Sequence, residues 1–580
     1  FIMWGIFFFF SKKKKINREK CLKSISSLKR RGPDKNKYQF FNNNLFMFNS
    51  ILSITGKLDH SSKLYNSLDK NYYLTYNGEI YNYEELSYKF YNKNLFINDS
   101  DLLVNLFSKI KYKVKIPKLI NGMFSFAVYD KNKNKLFYCS DIQGEKRLYK
   151  FENDKELILS STINSILDYI KGDNINNEAF SDYINTRHFN FYENTIYRSI
   201  KPIEPGKFFE FDLKNCKSKE HIVENIFDWI DEAKYREFKK MKYEDVVEYF
   251  DMLFREQLSL MIPNRKFGSI CSGGIDSTLQ TRLISDFNNN YIASAIHHEG
   301  KDIITEQLND FEKYIKNKIH IFNANVKLNY NYAKKCIKEI SIPFLTHDFI
   351  GRYQISQFFK KNNCKVFFCG DGADEIFGGY QAYASLKWGG DKIKNISPYS
   401  TYNSNKTDFE SVLKKKFESL FKSASKRYSF LSTKEINMQS SLFSDYFICT
   451  RSVYNIGTDL VGCNNSVEPR NMFIQKNIIK NAINLPIEYK INHKADHKMF
   501  VLKPLLKKIY LKYFPKKLVF KKQGFSGYPN EMKRYLKYKN YNNISKNLDI
   551  NLDLKKNISR SLEWKLINLE LFFEKVKVIK

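Results

Sequence analysis

Ser272-Gly273-Gly274-Ile275-Asp276-Ser277 carries the densest chemical signal in the chain. It follows an apolar stretch, Lys266 to Cys271, whose make-up predicts a buried strand, and from Thr278 onward the apolar spacing is helical. A strand, a glycine-rich turn and a helix start together form an anion site, because backbone N–H groups without partners converge there and the helix dipole adds a favourable field. Phosphate oxygens suit such a site. The GxxxxGK[ST] pattern is absent, so this is not a Walker loop. A second stretch, CKVFFCGDGADEIFGGYQAY from Cys364, is again a predicted strand ending in a loop, and it sets Asp371, Asp374 and Glu375 close together behind Gly370. Three neighbouring carboxylates repel one another unless cations intervene, and magnesium accompanying bound phosphates would answer that need.

Other elements must position these loops. Tyr243 to Met261 reads as a helix leading into the first of them, after a linker around 214 to 240. Upstream, residues 1 to about 213 read as short strands between polar turns, with helices near 17 to 30, 83 to 92 and 99 to 110. LFMFNSILSI, NYYLTYNGEIYN, MFSFAVYD and KLFYCSD have the β-branched and aromatic content of strands. Two sheet layers and two helical layers are the expected arrangement. Three patches here are more specific than turns require: Arg31-Gly32-Pro33-Asp34, Asn77-Gly78-Glu79-Ile80-Tyr81-Asn82 and Asn121-Gly122-Met123-Phe124-Ser125-Phe126. Gly-Pro-Asp and Asn-Gly are also ordinary turn formers. The opening FIMWGIFFFF has its lysines behind the apolar block, the wrong order for an export signal, and it is shorter than the about 20 apolar residues of a spanning helix. A buried strand running into a surface turn is predicted.

At 580 residues the chain exceeds one core, and two domains of roughly 200 to 300 residues are expected. Its nine cysteines are scattered with no CxxC pair, a pattern that predicts reduced thiols and a cytoplasmic setting without zinc or thioredoxin-like sites. The net charge of +34 comes from 96 basic against 62 acidic residues. The lysines are spread along the chain, which is rich in the Lys, Asn, Ile, Tyr and Phe of A/T-rich codons. That distribution predicts a solvated surface instead of a specific nucleic-acid partner, and no membrane association is expected.

Taken in order after Met3-Trp4-Gly5-Ile6-Phe7, the patches of the first part resemble the glutaminase domain of class II glutamine amidotransferases, and in particular of the glutamine-dependent asparagine synthetases. The resemblance implies an N-terminal four-layer αββα sandwich over residues 3 to 213. It also implies that Trp4 stands where the family keeps its nucleophilic cysteine, and Ile51 where an arginine holds the glutamine carboxylate. A glutaminase of this type needs a thiolate, which an indole cannot supply. Asn77 and Gly78 match the oxyanion positions, Glu79 the amine-binding position and Asp101 a further acid, so a pocket without its chemistry is the expectation.

SGGIDS resembles the pyrophosphate loop of ATP pyrophosphatases, and Gly370 to Glu375 fits the asparagine synthetase pattern Gly-(Asp/Glu)-Gly-(Ala/Ser)-Asp-Glu. This implies a doubly wound parallel-sheet domain over 241 to 529, of the adenine nucleotide alpha hydrolase kind. SVEPR at 466 to 470 keeps Glu468 and Arg470 of the family's Ser-Leu-Glu-Val-Arg, while the following Pro-Phe-Leu-Asp has become Asn471-Met472-Phe473-Ile474. LKPLLKKIYLKYFP from Leu502 aligns Lys503 with the lysine expected at the α-phosphate, with Lys498 as fallback, and KKQGFSGYP from Lys521 matches the closing Lys-Lys-Gly-Phe. Residues 530 to 580 read as a helical, Lys/Asn-rich tail.

By resemblance, Ser272, Gly273, Gly274, Ser277 and Gly370 would cradle the pyrophosphate of ATP, with Asp276 also at that loop, and Asp276 and Asp374 would bind Mg2+. Lys503 would offset charge on the reacting phosphorus, and Asp371 would be a base or hydrogen-bond partner for ammonia attacking β-aspartyl-AMP. Nitrogen would come from ammonia, or from glutamine if the glutaminase works; a homodimer is a further expectation. Rival readings are a β-lactam synthetase-like ligase, which would carry tyrosine at Asp371, a pseudoenzyme, and a tRNA-modifying enzyme, which would lack residues 1 to 213 in this form.

Overall fold

A computed structural model describes residues 2–12, 15–54, 63–93, 96, 98–186, 193–298, 303–324, 326–346, 348–384, 412–495, 498–519, 542–548 and 560–576. The opening apolar block forms β1 (Ile2–Ser11), whose alternation decides the layering of the first domain. Ile6, Phe8 and Phe10 enter one apolar cluster and Phe7 and Phe9 another, as the two-residue period of a strand dictates. The strands that follow are β2 (Lys35–Phe41), β3 (Leu45–Leu52), β4 (Tyr65–Asn66), β5 (Tyr72–Ile80), β6 (Gly122–Asp130), β7 (Lys135–Ser140), β8 (Tyr149–Glu152), β9 (Glu156–Ser160), β10 (Ile200–Pro202), β11 (Lys207–Asp212) and β12 (Lys217–Ile222).

These strands make two antiparallel leaves. One runs β10-β8-β9-β1-β3-β2 and the other β4-β5-β6-β7-β11-β12, joined by the register pair Met3↔Gly78. Side chains from both leaves meet in the cluster of Ile6, Phe8, Met47, Ala127, Tyr138 and Phe211 between them. Helices cover the outer faces: Arg18–Ser24 and Ile163–Ile170 on the first leaf, Tyr83–Tyr91 and Asp99–Lys109 on the second. The four-layer αββα sandwich is therefore present, with the expected helices within a few residues of their places.

The second domain carries a parallel sheet of β13 (Phe267–Ile270), β14 (Tyr291–His298), β15 (Ile319–Ala324), β16 (Val366–Cys369) and β17 (Glu468–Asn471), in the order β15-β14-β13-β16-β17. The order reverses between β13 and β16, the switch point at which such sheets open a crevice beyond their C-terminal strand ends. The predicted helix Tyr243–Met261 forms as expected, burying Val246, Val247, Phe250, Phe254, Leu258 and Met261 along one stripe.

One expectation needs correction. The linker expected over 214 to 240 is structured: β12 completes the first domain's sheet, and the helix Glu232–Lys240 docks on the second domain. Its N-cap Asp231 accepts from the N–H groups of Ala233 and Lys234, while the Asp231 N–H donates to Asn484 Oδ1 at 2.8 Å. Within the stretch read as a helical tail, a helix packs into the core. The helix Arg560–Lys575 buries Trp564, Leu566, Ile567, Leu569, Leu571 and Phe572 in the cluster that also holds Phe7, Phe9 and Ile163 of the first domain and Cys336, Ile337 and Phe349 of the second. Its Lys565 ammonium donates to the Ile184 carbonyl, and Lys334 pairs with Glu574 at 3.6 Å. The sequence predicts helix here but assigns it no packing, and its apolar residues cover a wide face instead of a narrow stripe. The closing KKQGF match lies outside the described residues.

Buried charges weld the domains. Arg31 Nη2 meets Asp459 Oδ2 at 2.9 Å, Lys146 Nζ meets Asp459 Oδ1 at 3.0 Å and Glu468 at 3.8 Å, and Arg470 Nε meets Glu468 at 2.9 Å. Arg470 also donates to Glu79 of β5 and to the Met261 carbonyl. Burial alone would raise the Asp459 pKa, but Arg31 and Lys146 outweigh it and hold the carboxyl at about 2. Because this value lies below the ordinary one, Asp459 stabilises the fold above pH about 4, and that contribution drains away as the pH falls toward 2. Urea unfolding followed across this window is expected to show the loss, and Asp459→Asn, less stable at neutral pH, is expected to flatten that segment.

Candidate active site

At the switch point β13 ends at Ile270, and the chain turns through Cys271, Ser272, Gly273 and Gly274 into the helix Ile275–Ile284. Gly273 sits at φ +80°, where a side chain would be strained. The Ser272 N–H donates to Ser277 Oγ at 3.1 Å, and the two hydroxyls lie 2.9 Å apart, so the loop closes on the helix's first turn. No side chain caps this helix at Gly274. Its leading N–H groups thus face the loop mouth, as anion binding requires. Gly370, just past β16, approaches so closely that a Cβ there would stand 3.3 Å from the Ser277 nitrogen and 3.4 Å from Asp276 Cβ.

The second loop turns at Gly372, φ +85°, into the short helix Ala373–Phe377. Across the crevice, Lys503 precedes the helix Pro504–Leu511. Its ammonium lies 2.5 Å from Asp276 Oδ2 and 2.6 Å from Asp374 Oδ1, joining the two motif loops through one cation. Lys503 is 5% exposed. Burial would lower its pKa, but Asp276 and Asp374 outweigh that and raise it, so the group stays protonated. Its backbone is left-handed at φ +51°, a state worth about 1–3 kcal/mol of strain in a non-glycine residue. Pro504 disfavours the right-handed helical alternative, and the Lys503 N–H is tied to the Lys490 carbonyl at 3.0 Å. The fallback Lys498 lies in the turn Lys498–Phe500, and Lys503 is the residue brought onto the acids.

Two carboxylates on one cation can also serve a hard metal ion. Among the described residues no group of three or more His, Cys, Asp or Glu is arranged to hold a metal. The third acid of the loop, Glu375, is 1% exposed and accepts from the Tyr380 hydroxyl at 2.5 Å, a structural bond away from the lysine.

Asp371 has a different partner, one that sequence reasoning missed. Arg352, from the helix Phe349–Lys361, reaches Asp371 Oδ2 at 2.5 Å through Nη1 and Oδ1 at 2.8 Å through Nη2. Thr458 Oγ1 donates to Asp371 Oδ2 at 3.0 Å and accepts from Arg352 Nη1 at 2.6 Å. Asp371 and Thr458 also border a cavity of about 20 Å³ lined on its far side by Glu145, Lys146, Asn471 and Ile474. Arg352 carries no motif, and only a contact across the fold reveals it.

The glutamine-pocket positions of the first domain are close in the sheet but altered in their contacts. β1 is irregular between Met3 and Gly5, so Trp4 falls at a bulge against Ile51 and Ser50 of β3. Ile51 is fully buried in the apolar cluster under the second leaf. Gly78, at φ +143°, pairs with Phe124 and Met3, and a Cβ there would strike the Met123 carbonyl. Asn77 is buried, with both amide atoms lacking a partner among the described residues. Glu79, the expected amine holder, has its carboxylate engaged by Arg470 from the other domain. Asp101 sits in the first turn of the helix Asp99–Lys109, where it accepts from Asn105 Nδ2 at 3.4 Å.

A family profile described as a glutamine amidotransferase domain matches residues 3–222, and one described as asparagine synthase matches residues 251–557. Putative asparagine synthetase (glutamine-hydrolyzing) 2 of Methanocaldococcus jannaschii is 26% identical over 396 residues, which are 64% of this chain and 74% of that protein. Asparagine synthetase (glutamine-hydrolyzing) 2 of Bacillus subtilis is 26% identical over 373 residues, 61% of this chain and 49% of that protein. The match therefore falls short of these relatives' full length. Among solved structures, a glutamine phosphoribosylpyrophosphate amidotransferase from B. subtilis complexed with ADP and GMP is similar at a TM-score of 0.31 and 9% identity, covering 56% of this chain and 91% of that one.

Gly379 lies against both Asp374 and Lys503, and a methyl group there would collide with the carboxylate and the lysine side chain. Gly379→Ala is expected to push the ammonium off the two acids while leaving the fold intact. Loss of one charged hydrogen bond, about 1.5–3 kcal/mol, corresponds to roughly ten- to a hundredfold weaker Mg-ATP binding by calorimetry.

Proposed function

The chain belongs to the asparagine synthase family, and from that premise we propose that it makes asparagine, using ATP to activate the β-carboxylate of aspartate and ammonia to displace AMP. The observation that carries this reading is Lys503 held between Asp276 and Asp374, at the switch point and beside an unfilled helix N-terminus. In the first step a carboxylate oxygen bonds to the α-phosphorus, the bond to the bridging oxygen breaks and pyrophosphate leaves. The loop of Ser272, Gly273, Gly274 and Ser277, with Gly370 beside it, receives the leaving group through backbone N–H groups and hydroxyls. Lys503 offsets the charge that builds on the phosphorus, an interaction worth several kcal/mol in a closed site. Magnesium held by Asp276, Asp374 and the phosphates would supply Lewis-acid charge neutralisation. Ammonia then forms the C–N bond, and AMP departs with the electrons of the broken C–O bond.

Nitrogen enters as free ammonia in this proposal. Trp4 offers no thiolate, Ile51 no charge for a glutamine carboxylate, and Glu79 is engaged by Arg470. A cytoplasmic setting fits the nine unpaired cysteines, and no described helix is long and apolar enough to cross a membrane. Assembly as a homodimer is proposed from the family alone, and light scattering on the purified protein checks it.

Pyrophosphate release with Mg-ATP and aspartate tests the reading directly. Ammonium is expected to support asparagine formation and glutamine to add nothing. Equal rates with glutamine would overturn the assignment of nitrogen source. Silence with both donors would overturn the reaction itself.

A further inference from the structure

Arg352 is the charged residue at the crevice that the proposed chemistry does not yet use. It is 8% exposed, and its guanidinium is shared among three acceptors: Asp348 one turn back on its own segment, Thr458, and both oxygens of Asp371. Its ring neighbour is Tyr454, with the guanidinium 5.8 Å from the centroid. A fork-to-fork pair of this kind fixes the plane of a carboxylate as well as its charge, which a single lysine contact does not.

The arrangement serves Asp371 and not the nucleotide. Lys503 answers Asp276 and Asp374 on the phosphate side of the loop, while Arg352 and Thr458 hold Asp371 on the side that faces the cavity shared with Lys146 and Glu145. The second loop thus presents Asp374 to the lysine, which also meets Asp276 of the first loop, and Asp371 to an arginine, with Gly372 at φ +85° turning the chain between them. The bond to Asp348 uses Nε alone and leaves the fork of the guanidinium to find other acceptors. Its two terminal nitrogens are spent on a loop residue at the crevice.

We propose that Arg352 is a positioning residue for the amide-forming half of the reaction, clamping Asp371 as a fixed anion so that the incoming ammonia donates an N–H hydrogen bond to it while attacking the activated carbonyl. The inference rests on the asparagine-forming reading above. In that step the nitrogen lone pair forms the C–N bond, the C–O bond to AMP breaks with its electrons going to AMP, and the surplus proton on nitrogen is released to water. Arg352 touches neither reactant. It acts through the orientation of Asp371, so its loss leaves activation of aspartate in place and slows capture by ammonia.

The two halves are separable. Aspartate-dependent exchange of labelled pyrophosphate into ATP reads activation alone, and asparagine formation at varied ammonium reads both halves. Arg352→Met is expected to keep the exchange within about twofold of the unmodified enzyme while asparagine formation drops on the order of a hundredfold, the scale of a misplaced reacting group. The KM for ammonium should rise, and Arg352→Lys should restore part of the loss. Thr458→Val, which removes one uncharged hydroxyl from the clamp, should show the same split more weakly and covers the case in which Arg352→Met does not fold. Equal loss of exchange and asparagine formation in folded variants would overturn the proposal and leave Arg352 a structural residue. Unchanged asparagine formation would overturn it as well. Absence of aspartate-dependent exchange in the unmodified enzyme is a different failure, that of the reaction assigned above, and the inference falls with it.

Discussion

The whole molecule depends on a chain of alternating charges sealed between its domains. Arg31, Lys146 and Glu79 come from the first domain, and Asp459, Glu468 and Arg470 from the second; none is more than 6% exposed. Ions removed from water in this way are tolerable only while each keeps its partner, since an orphan would carry an uncompensated desolvation penalty of several kcal/mol. The domains therefore cannot part without stranding charges on both faces. β17 ends this chain on one side and the crevice lies on the other, so the same strand that anchors Arg470 also borders the loop of Asp371.

This constraint gives the first domain a structural role of its own. Its β5 contributes Glu79 to the interface, its β1 and β3 contribute apolar residues to the cluster that the second domain shares, and its Lys146 neutralises Asp459 and Glu468. None of these contacts depends on the residue at position 4. The surface of the first domain is the inner wall of its neighbour whatever its own chemistry.

How much of this was legible depended on whether the signal was contiguous. SGGIDS and GDGADE could be read because strand, turn and helix start follow one another within a few residues, and the aromatic and β-branched content of LFMFNSIL or the stripe of Tyr243–Met261 states a local geometry outright. Lys503 was found through its block of neighbours, although sequence could not say that one ammonium would meet both acids. Arg352 was invisible: it sits on a helix among ordinary residues, and its meaning lies in a partner brought near by the strand β16. Glu79 was misjudged for the same reason, because Arg470 lies hundreds of positions away and no periodicity announces the pair. Helix near the end of the chain was expected, but its burial was not, since the lysines and asparagines around it average out its apolar residues.

That last helix also sets an order of events. The helix Val326–Ile340 and the first domain's Tyr197 and Tyr183 present apolar surface that Arg560–Lys575 covers. During synthesis at about 5–20 residues per second, those surfaces wait on the order of ten seconds or more before their cover leaves the ribosome. Until then the nascent chain has a finished Ser272–Ser277 loop and an unfinished core. Newly made copies would then be natural clients for holding chaperones, and a cell making this protein faster would feel the demand first as a shortage of chaperones rather than of amino acids.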